Sequence, residues 1–206
     1  MSTIFDSVMQ QLGGQNLSAL SQQIGADEAT TQKAVQAALP MLLGGMARNT
    51  QNPAGAQSLS NALNDHRDGS ALSNLGGLIN NPQSGPGGGI LGHIFGGRRE
   101  TVEQGVGQAT GLNGQQIGKL LMVLAPIVMA VLARRHAPQP GAAPAPEQLA
   151  PELQRETEAA AERAPGGLGG LLGMLDRDGD GNPLNDLGRM AGGGGAGGLG
   201  GLLGGR

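Results

Sequence analysis

The feature that most constrains this chain is a helical pattern that occurs twice. Residues 20–48, LSQQIGADEATTQKAVQAALPMLLGGMAR, align without a gap on residues 106–134, VGQATGLNGQQIGKLLMVLAPIVMAVLAR, at an offset of about 86 residues. The alignment pairs residue types that shape helices: Gly25 with Gly111, Asp27 with Asn113, Lys33 with Lys119, Pro40 with Pro126 and Arg48 with Arg134. An internal repeat of this kind predicts two related helical units.

Each unit is expected to contain short helices followed by a longer one. In the first unit, Asn16 is placed to cap a short helix that ends at Gly25, and Asp27 is placed to cap the long helix. The long helix has apolar residues at intervals of three and four, which predicts one face turned toward a core: Val35, Ala38, Leu39, Leu42, Leu43 and Met46. Pro40 and Pro126 lie inside the long helices, so we expect a kink at both positions.

The second long helix, from Ile117 to Arg135, is apolar on nearly all sides. No charged residue lies between Leu120 and Ala133. This uncharged stretch of about 14 residues is shorter than the roughly 20 that cross a bilayer. We therefore expect a buried central helix and no transmembrane segment.

Every strong periodicity in the chain is helical, so the sequence predicts an all-α fold. Between the two units, two shorter helices are expected, capped near Asn52 and Ser70. After Arg135, proline and alanine become frequent, and beyond Pro165 glycine dominates. The predicted organisation has three regions. The first is a bundle-like body at 1–135, whose repeats at about 1–50 and 87–135 are joined by short helices at 51–80. The second is a Pro/Ala linker at 136–165 with a short solvated charged helix, and the third is a flexible glycine-rich tail at 166–206.

Composition limits both the core and the classes of function. With 40 glycines, 12 prolines, two phenylalanines and neither tyrosine nor tryptophan, a core must be built from aliphatic side chains and methionine. The formal net charge of −3 supplies no basic field that would attract nucleic acid. The absence of cysteine excludes a disulfide and is typical of a reducing compartment. Residues 1–14 lack a basic start and contain Asp6, so we expect no signal peptide and a cytoplasmic location.

One combination of motifs is similar to a known family. The stretch IGADEATTQKAVQAALPMLLGGMARN at 24–49 is preceded by IFDSVMQQLGG and followed by the second unit and a DRDGDG loop. In this combination the chain resembles the bacterial Domain of Unknown Function 937 family, over most of residues 1–135 and the aspartate loop. The resemblance implies a small helical bacterial protein and implies no activity.

The sharpest chemical pattern is LDRDGDGNPLNDL at residues 175–187. Aspartates at the first, third and fifth positions of a loop, followed by glycine, supply the hard oxygen ligands that calcium prefers. The sequence therefore predicts an EF-hand-like calcium loop with five candidate ligands: Asp176, Asp178, Asp180, Asn182 and Asp186. Leu187 at the glutamate position and Pro183 at the eighth position predict weak affinity or a variant geometry. The alternative is a solvated Asp-Gly turn.

Catalytic motifs are not evident in the sequence. His66, His93 and His136 lie far apart without partners at metal-ligand spacing, so structural or surface roles are expected. No Gly-x-Ser-x-Gly motif occurs, and the glycines at 85–89 lack the Lys and Ser/Thr of a phosphate loop. We therefore predict a protein that is not an enzyme, with calcium as its one candidate cofactor and no small-molecule substrate.

The leading functional hypothesis is a non-enzymatic binding or structural module whose tail loop binds calcium. The alternative is a self-associating scaffold without metal, favoured by the sequence GGLGGLLG at 166–173 and 197–204 and by four methionines of the long helices: Met41, Met46, Met122 and Met129. The partner is then an unidentified protein or a second copy. Nucleic-acid binding is less favoured, because the basic clusters at 98–99 and 134–136 are typical of a loop and a helix end.

Overall fold

A computed structural model describes residues 3–66, 69–136 and 145–164. These residues form helices and turns and contain no strand, so the predicted all-α fold is confirmed. The helices are α1 (Ile4–Gln11), α2 (Gln15–Ile24), α3 (Glu28–Thr50), α4 (Pro53–Asp65), α5 (Ser70–Ser73), α6 (Leu75–Asn80), α7 (Gly87–Phe95), α8 (Arg99–Thr110), α9 (Gly114–Arg135) and α10 (Pro146–Arg163), with a 3-10 helix at Gly96–Arg98.

The caps of α3 and α9 correspond closely. Asp27 and Asn113 are extended residues whose side chains accept a hydrogen bond from the backbone amide three positions later. The preceding helices, α2 and α8, both end at a glycine with left-handed backbone, Gly25 with φ 72° and Gly111 with φ 77°. These four residues are pairs in the sequence alignment. That the two helix triplets α1–α3 and α7–α9 are related copies stays a prediction.

The helix α9 lies at the centre of the body. From Leu120 to Ala133 every residue except Met122 is buried, and α9 contacts α1 to α5, α7 and α8. Within the described part of the chain, α9 alone is long and apolar enough to span a membrane. However, 83% of the most apolar 18-residue stretch of α9 is buried inside the fold, as is typical of a core helix. The expected buried central helix is therefore observed.

The prolines inside the two long helices are buried, and both helices continue through them. Pro40 lies in α3 and Pro126 in α9. Because proline has no N–H, Pro126 cannot bond the carbonyl of Met122, four residues earlier. The N-terminus of α7 packs at this carbonyl: a Cβ added to Gly87 would overlap the Met122 oxygen and lie 2.8 Å from its Cα. The carbonyl that the proline leaves without an i+4 donor thus lies at a close approach of α7 to α9. The predicted kink stays a prediction.

Between the triplets, the described residues form three helices where two were expected. Asn52 caps α4 as predicted, since its side chain accepts a hydrogen bond from the amide of Ala54. The next helix does begin at Ser70, but its cap is Gly69, with φ 68°, and not a serine hydroxyl. Asn74 then ends α5 and caps α6 with its side chain. The second expected helix is thus divided in two at Asn74.

The helix predicted within the Pro/Ala linker exists, but the expectation that it is solvated is wrong. Helix α10 packs along α3 and also contacts α4 and α1. It buries three apolar side chains that share one face: Leu149, Leu153 and Ala160. Seven of the 18 residues of α10 are charged, and this narrow apolar stripe is enough to bind the helix to the body.

Candidate functional site

An apolar groove of about 450 Å³ lies among α3, α4, α7 and α9. Helices α4 and α7 form its two walls, and both pack on α3 and α9, which form its floor. Its lining is Met46, Asn49, Gly55, Ser58, Leu59, Ala62, Gly89, Ile90, His93, Ile94 and Met129. Helices α3 and α4 are consecutive, but α7 and α9 lie further along the chain, so the groove is a product of tertiary packing.

Small residues set the positions of the two walls. A Cβ on Gly55 would overlap the backbone oxygen of Asn49, so α4 crosses very close to the end of α3. On the other side, a Cβ on Gly45 would lie 2.5 Å from Cγ2 of Ile94, so α7 also packs directly on α3. These two close approaches fix the walls against the same helix and leave the space between them open.

The floor and walls of the groove are apolar. Met46 and Met129 form the floor, and each is 1% exposed. Leu59, Ile90 and Ile94 are half-buried on the walls. Methionine has three rotatable bonds and a polarizable sulfur, so a methionine floor adapts to ligands of different shape.

The polar groups at the rim are held by backbone carbonyls. Asn49 donates from Nδ2 to the carbonyl oxygen of His93 at 2.6 Å, which joins α3 to α7. Nδ1 of His93 lies 2.8 Å from the oxygen of Gly89. Since a carbonyl only accepts, Nδ1 carries the proton, and in the neutral ring Nε2 is an acceptor. Ser58 donates its hydroxyl to the oxygen of Ala54 at 2.8 Å.

A separate charged cluster binds α10 to the N-terminus of α1 and the C-terminus of α9. Arg135, in the last turn of α9, lies 2.5 Å from Glu156 and 3.7 Å from Glu152. The other oxygen of Glu156 accepts a hydrogen bond from the amide of Ile4 at 2.6 Å, where the positive end of α1 favours a carboxylate. Nε2 of His136 lies 2.7 Å from Glu152. Every group in this cluster joins helices, so we assign it a structural role.

A family model described as "Bacterial protein of unknown function (DUF937)" matches residues 6–135 and 142–206. The chain belongs to this family. The resemblance drawn from the GAD and ALPMLLGG motifs is thereby confirmed, and the family description assigns no activity. Comparisons with curated proteins and with solved structures give no significant match.

The predicted metal ligands of this DUF937 chain, Asp176, Asp178, Asp180, Asn182 and Asp186, all lie outside the described residues. The calcium loop therefore stays a prediction. Within residues 3–66, 69–136 and 145–164, no cluster of three or more histidine, aspartate or glutamate side chains is arranged to hold a metal ion.

The histidines and basic clusters are distributed over the DUF937 fold. His66 ends α4 and His136 ends α9, whereas His93 lies at the rim of the groove. The expectation of a loop at 98–99 is wrong: Arg98 ends the 3-10 helix and Arg99 begins α8, where its Nε bonds Glu103 at 2.7 Å. The cluster at 134–136 lies at the C-terminal end of α9, as expected.

The sequence did not indicate the groove, because none of its lining residues belongs to a recognisable binding motif. The available signal was the spacing of small residues in two helices of the DUF937 chain, with Gly55 and Ala62 in α4 and Gly89 in α7. Such residues are enriched at close approaches but do not show which helices meet. The hydrogen bond between Asn49 and His93, 44 positions apart, joins α3 to α7 at the rim of the groove.

Proposed function

We propose that this DUF937 protein is a non-enzymatic binding module whose ligand occupies the groove between α4 and α7. The observation that carries the proposal is an apolar groove of about 450 Å³ with a few polar groups at its rim. Binding sites for small organic molecules generally have volumes of about 300–1,000 Å³ and this kind of lining. Ser58 and His93 each bond a backbone carbonyl and not each other, which supports binding over nucleophilic catalysis.

A hydrophobic fluorescent probe tests this proposal. We expect anilinonaphthalene sulfonate to bind the native protein with increased fluorescence, and Ala62→Phe to abolish this binding because the phenyl ring fills the groove. Ala109→Phe is the matched control, since Ala109 is exposed on α8 away from the groove. Far-ultraviolet circular dichroism checks that both variants fold. No binding by the native protein, or equal binding by both variants, would contradict the proposal.

We also propose that the tail loop binds calcium. Support comes from the sequence: three aspartates at alternate positions repel one another unless a cation lies among them, and Gly181 occupies the turn position. Isothermal titration calorimetry with millimolar calcium should show heat for the full chain and none for Asp178→Ala. Asp65→Ala, which removes one carboxylate from the end of α4, is the control and should bind as the native chain does.

Self-association without metal is the alternative role. It is supported by the two GGLGGLLG segments and by the methionines of α3 and α9. Light scattering after size exclusion, on the full chain and on residues 1–165, distinguishes the two roles. A scaffold that associates through its tail has fewer chains per particle once the tail is removed, whereas a monomeric binding module has one chain per particle in both cases. A cytoplasmic location completes the proposal and is supported by the cysteine-free composition.

A further inference from the structure

Resting on the proposed function, we infer the chemical class of the ligand: a linear aliphatic chain that ends in a carboxyl group. The chain lies along the methionine floor of the groove, and the carboxyl group binds at His93. The shape of the groove, the residues that line it and the hydrogen bond at Nδ1 of His93 support this class.

The shape of the groove favours a linear chain. Its α4 wall extends from Gly55 to Ala62 and its α7 wall from Gly89 to Ile94, with lining residues at intervals of three and four. At 1.5 Å per residue, the seven steps along α4 correspond to a length of about 10 Å. A groove that follows about two turns of α4 and more than one turn of α7 is elongated, and its lining has no Phe, Tyr or Trp ring on which a flat ligand would stack.

The head group follows from the ionisable groups at the site. Of the described residues that line the groove, His93 alone is ionisable. Its Nδ1 is committed to the carbonyl of Gly89, so Nε2 is the nitrogen that remains for a ligand. A neutral ring accepts at Nε2 from a carboxylic acid, and a protonated ring donates from Nε2 to a carboxylate. A carboxyl group is therefore complementary to His93 in both states.

An alkylammonium head lacks this complementarity. The lining contains no aspartate or glutamate to pair with a cation. A protonated His93 would also repel an ammonium group placed at the rim. The site should therefore select an alkanoate over the alkylamine of equal length.

Displacement of bound anilinonaphthalene sulfonate by straight-chain acids tests the inference. With hexanoate, octanoate and decanoate, all below their micelle concentrations, affinity should rise about fourfold for each added methylene, because each buried methylene contributes a similar transfer free energy. Decanoate should bind at least about tenfold more tightly than decylamine, as expected for one charge-assisted hydrogen bond. In His93→Phe, which keeps a ring of similar size, this preference should fall toward one while the dependence on chain length remains.

The outcomes separate this inference from the proposed function. If the probe binds at the groove but no acid displaces it, or if affinity does not change with chain length, the ligand class is wrong and the binding module stands. If the probe does not bind the native protein, the proposed function fails as well. If His93→Phe keeps the full preference for decanoate, the assignment of the head group to His93 is overturned. Ala62→Phe should lose all acid binding, whereas Ala109→Phe should keep it.

Discussion

Substituting Gly87 by alanine should disrupt a close backbone contact in the body, where the first turn of α7 meets the backbone of α9. The added Cβ would overlap the carbonyl oxygen of Met122 and lie 2.7 Å from its carbonyl carbon. These atoms belong to the backbone of α9 and cannot rotate away as a side chain can. The helix α7 must therefore move outward, which loosens the packing of Leu91 and Phe95, both buried on the inner face of α7.

Overpacking a well-filled interior costs about 1–3 kcal/mol, and a backbone obstacle places Gly87→Ala at the upper end, about 3 kcal/mol. For a chain of this size, that loss lowers Tm by about 6–12 °C. Urea unfolding followed by circular dichroism measures the change in the free energy of unfolding.

Gly92→Ala is the matched control, because Gly92 lies in the same helix and a Cβ added there would have no neighbouring atom within 4 Å. It should stabilise the protein by about 0.5–1 kcal/mol, since alanine is the better helix former. The close approach of α7 and α9 is refuted if the free energy of unfolding of Gly87→Ala lies within about 0.5 kcal/mol of the native value. It is also refuted if Gly87→Ala stabilises the protein as Gly92→Ala does.

Three further predictions concern α10 and the cap of α3. Leu153→Ala, at a fully buried side chain, should destabilise the fold by about 3 kcal/mol in urea unfolding; a loss below about 1 kcal/mol would show that α10 is not docked. Glu156→Gln weakens the pairing with Arg135 and should cost about 2 kcal/mol by the same assay, and no loss would contradict the cluster's structural role. The Thr30 hydroxyl donates to Asp27 and holds the pKa of that carboxyl below its ordinary value of 3.8. The stabilisation is therefore present above that value and lost as the pH falls through the lower folded pKa, so Asp27→Asn should lose less stability than the native chain between about pH 6 and pH 3, and equal losses would refute this.

Features encoded by neighbouring residues were predictable from the sequence. Three such features depend on residues within a few positions of one another. They are the helix caps at Asp27 and Asn113, the helix ends at Gly25 and Gly111, and the apolar pattern of the central helix. Helix type and approximate order follow from such local signals.

Features that depend on distant residues were not predictable. The burial of α10 needs a face of α3 about a hundred residues earlier, and the groove needs Asn49 of α3 beside His93 of α7. Hydrophobic periodicity shows that a helix has an apolar face but not which helix covers it. For this reason a charged sequence with two buried leucines was interpreted as solvated, and a surface histidine was not associated with a binding site.

The packing of α10 on α3 has a consequence for synthesis of the chain. The long third helix is complete once residue 50 has left the ribosome, but the helix that covers it ends only at residue 163. At about 5–20 residues per second, the nascent protein displays that uncovered surface for on the order of ten seconds. During this interval a chaperone that binds apolar segments has a target that the finished protein no longer offers.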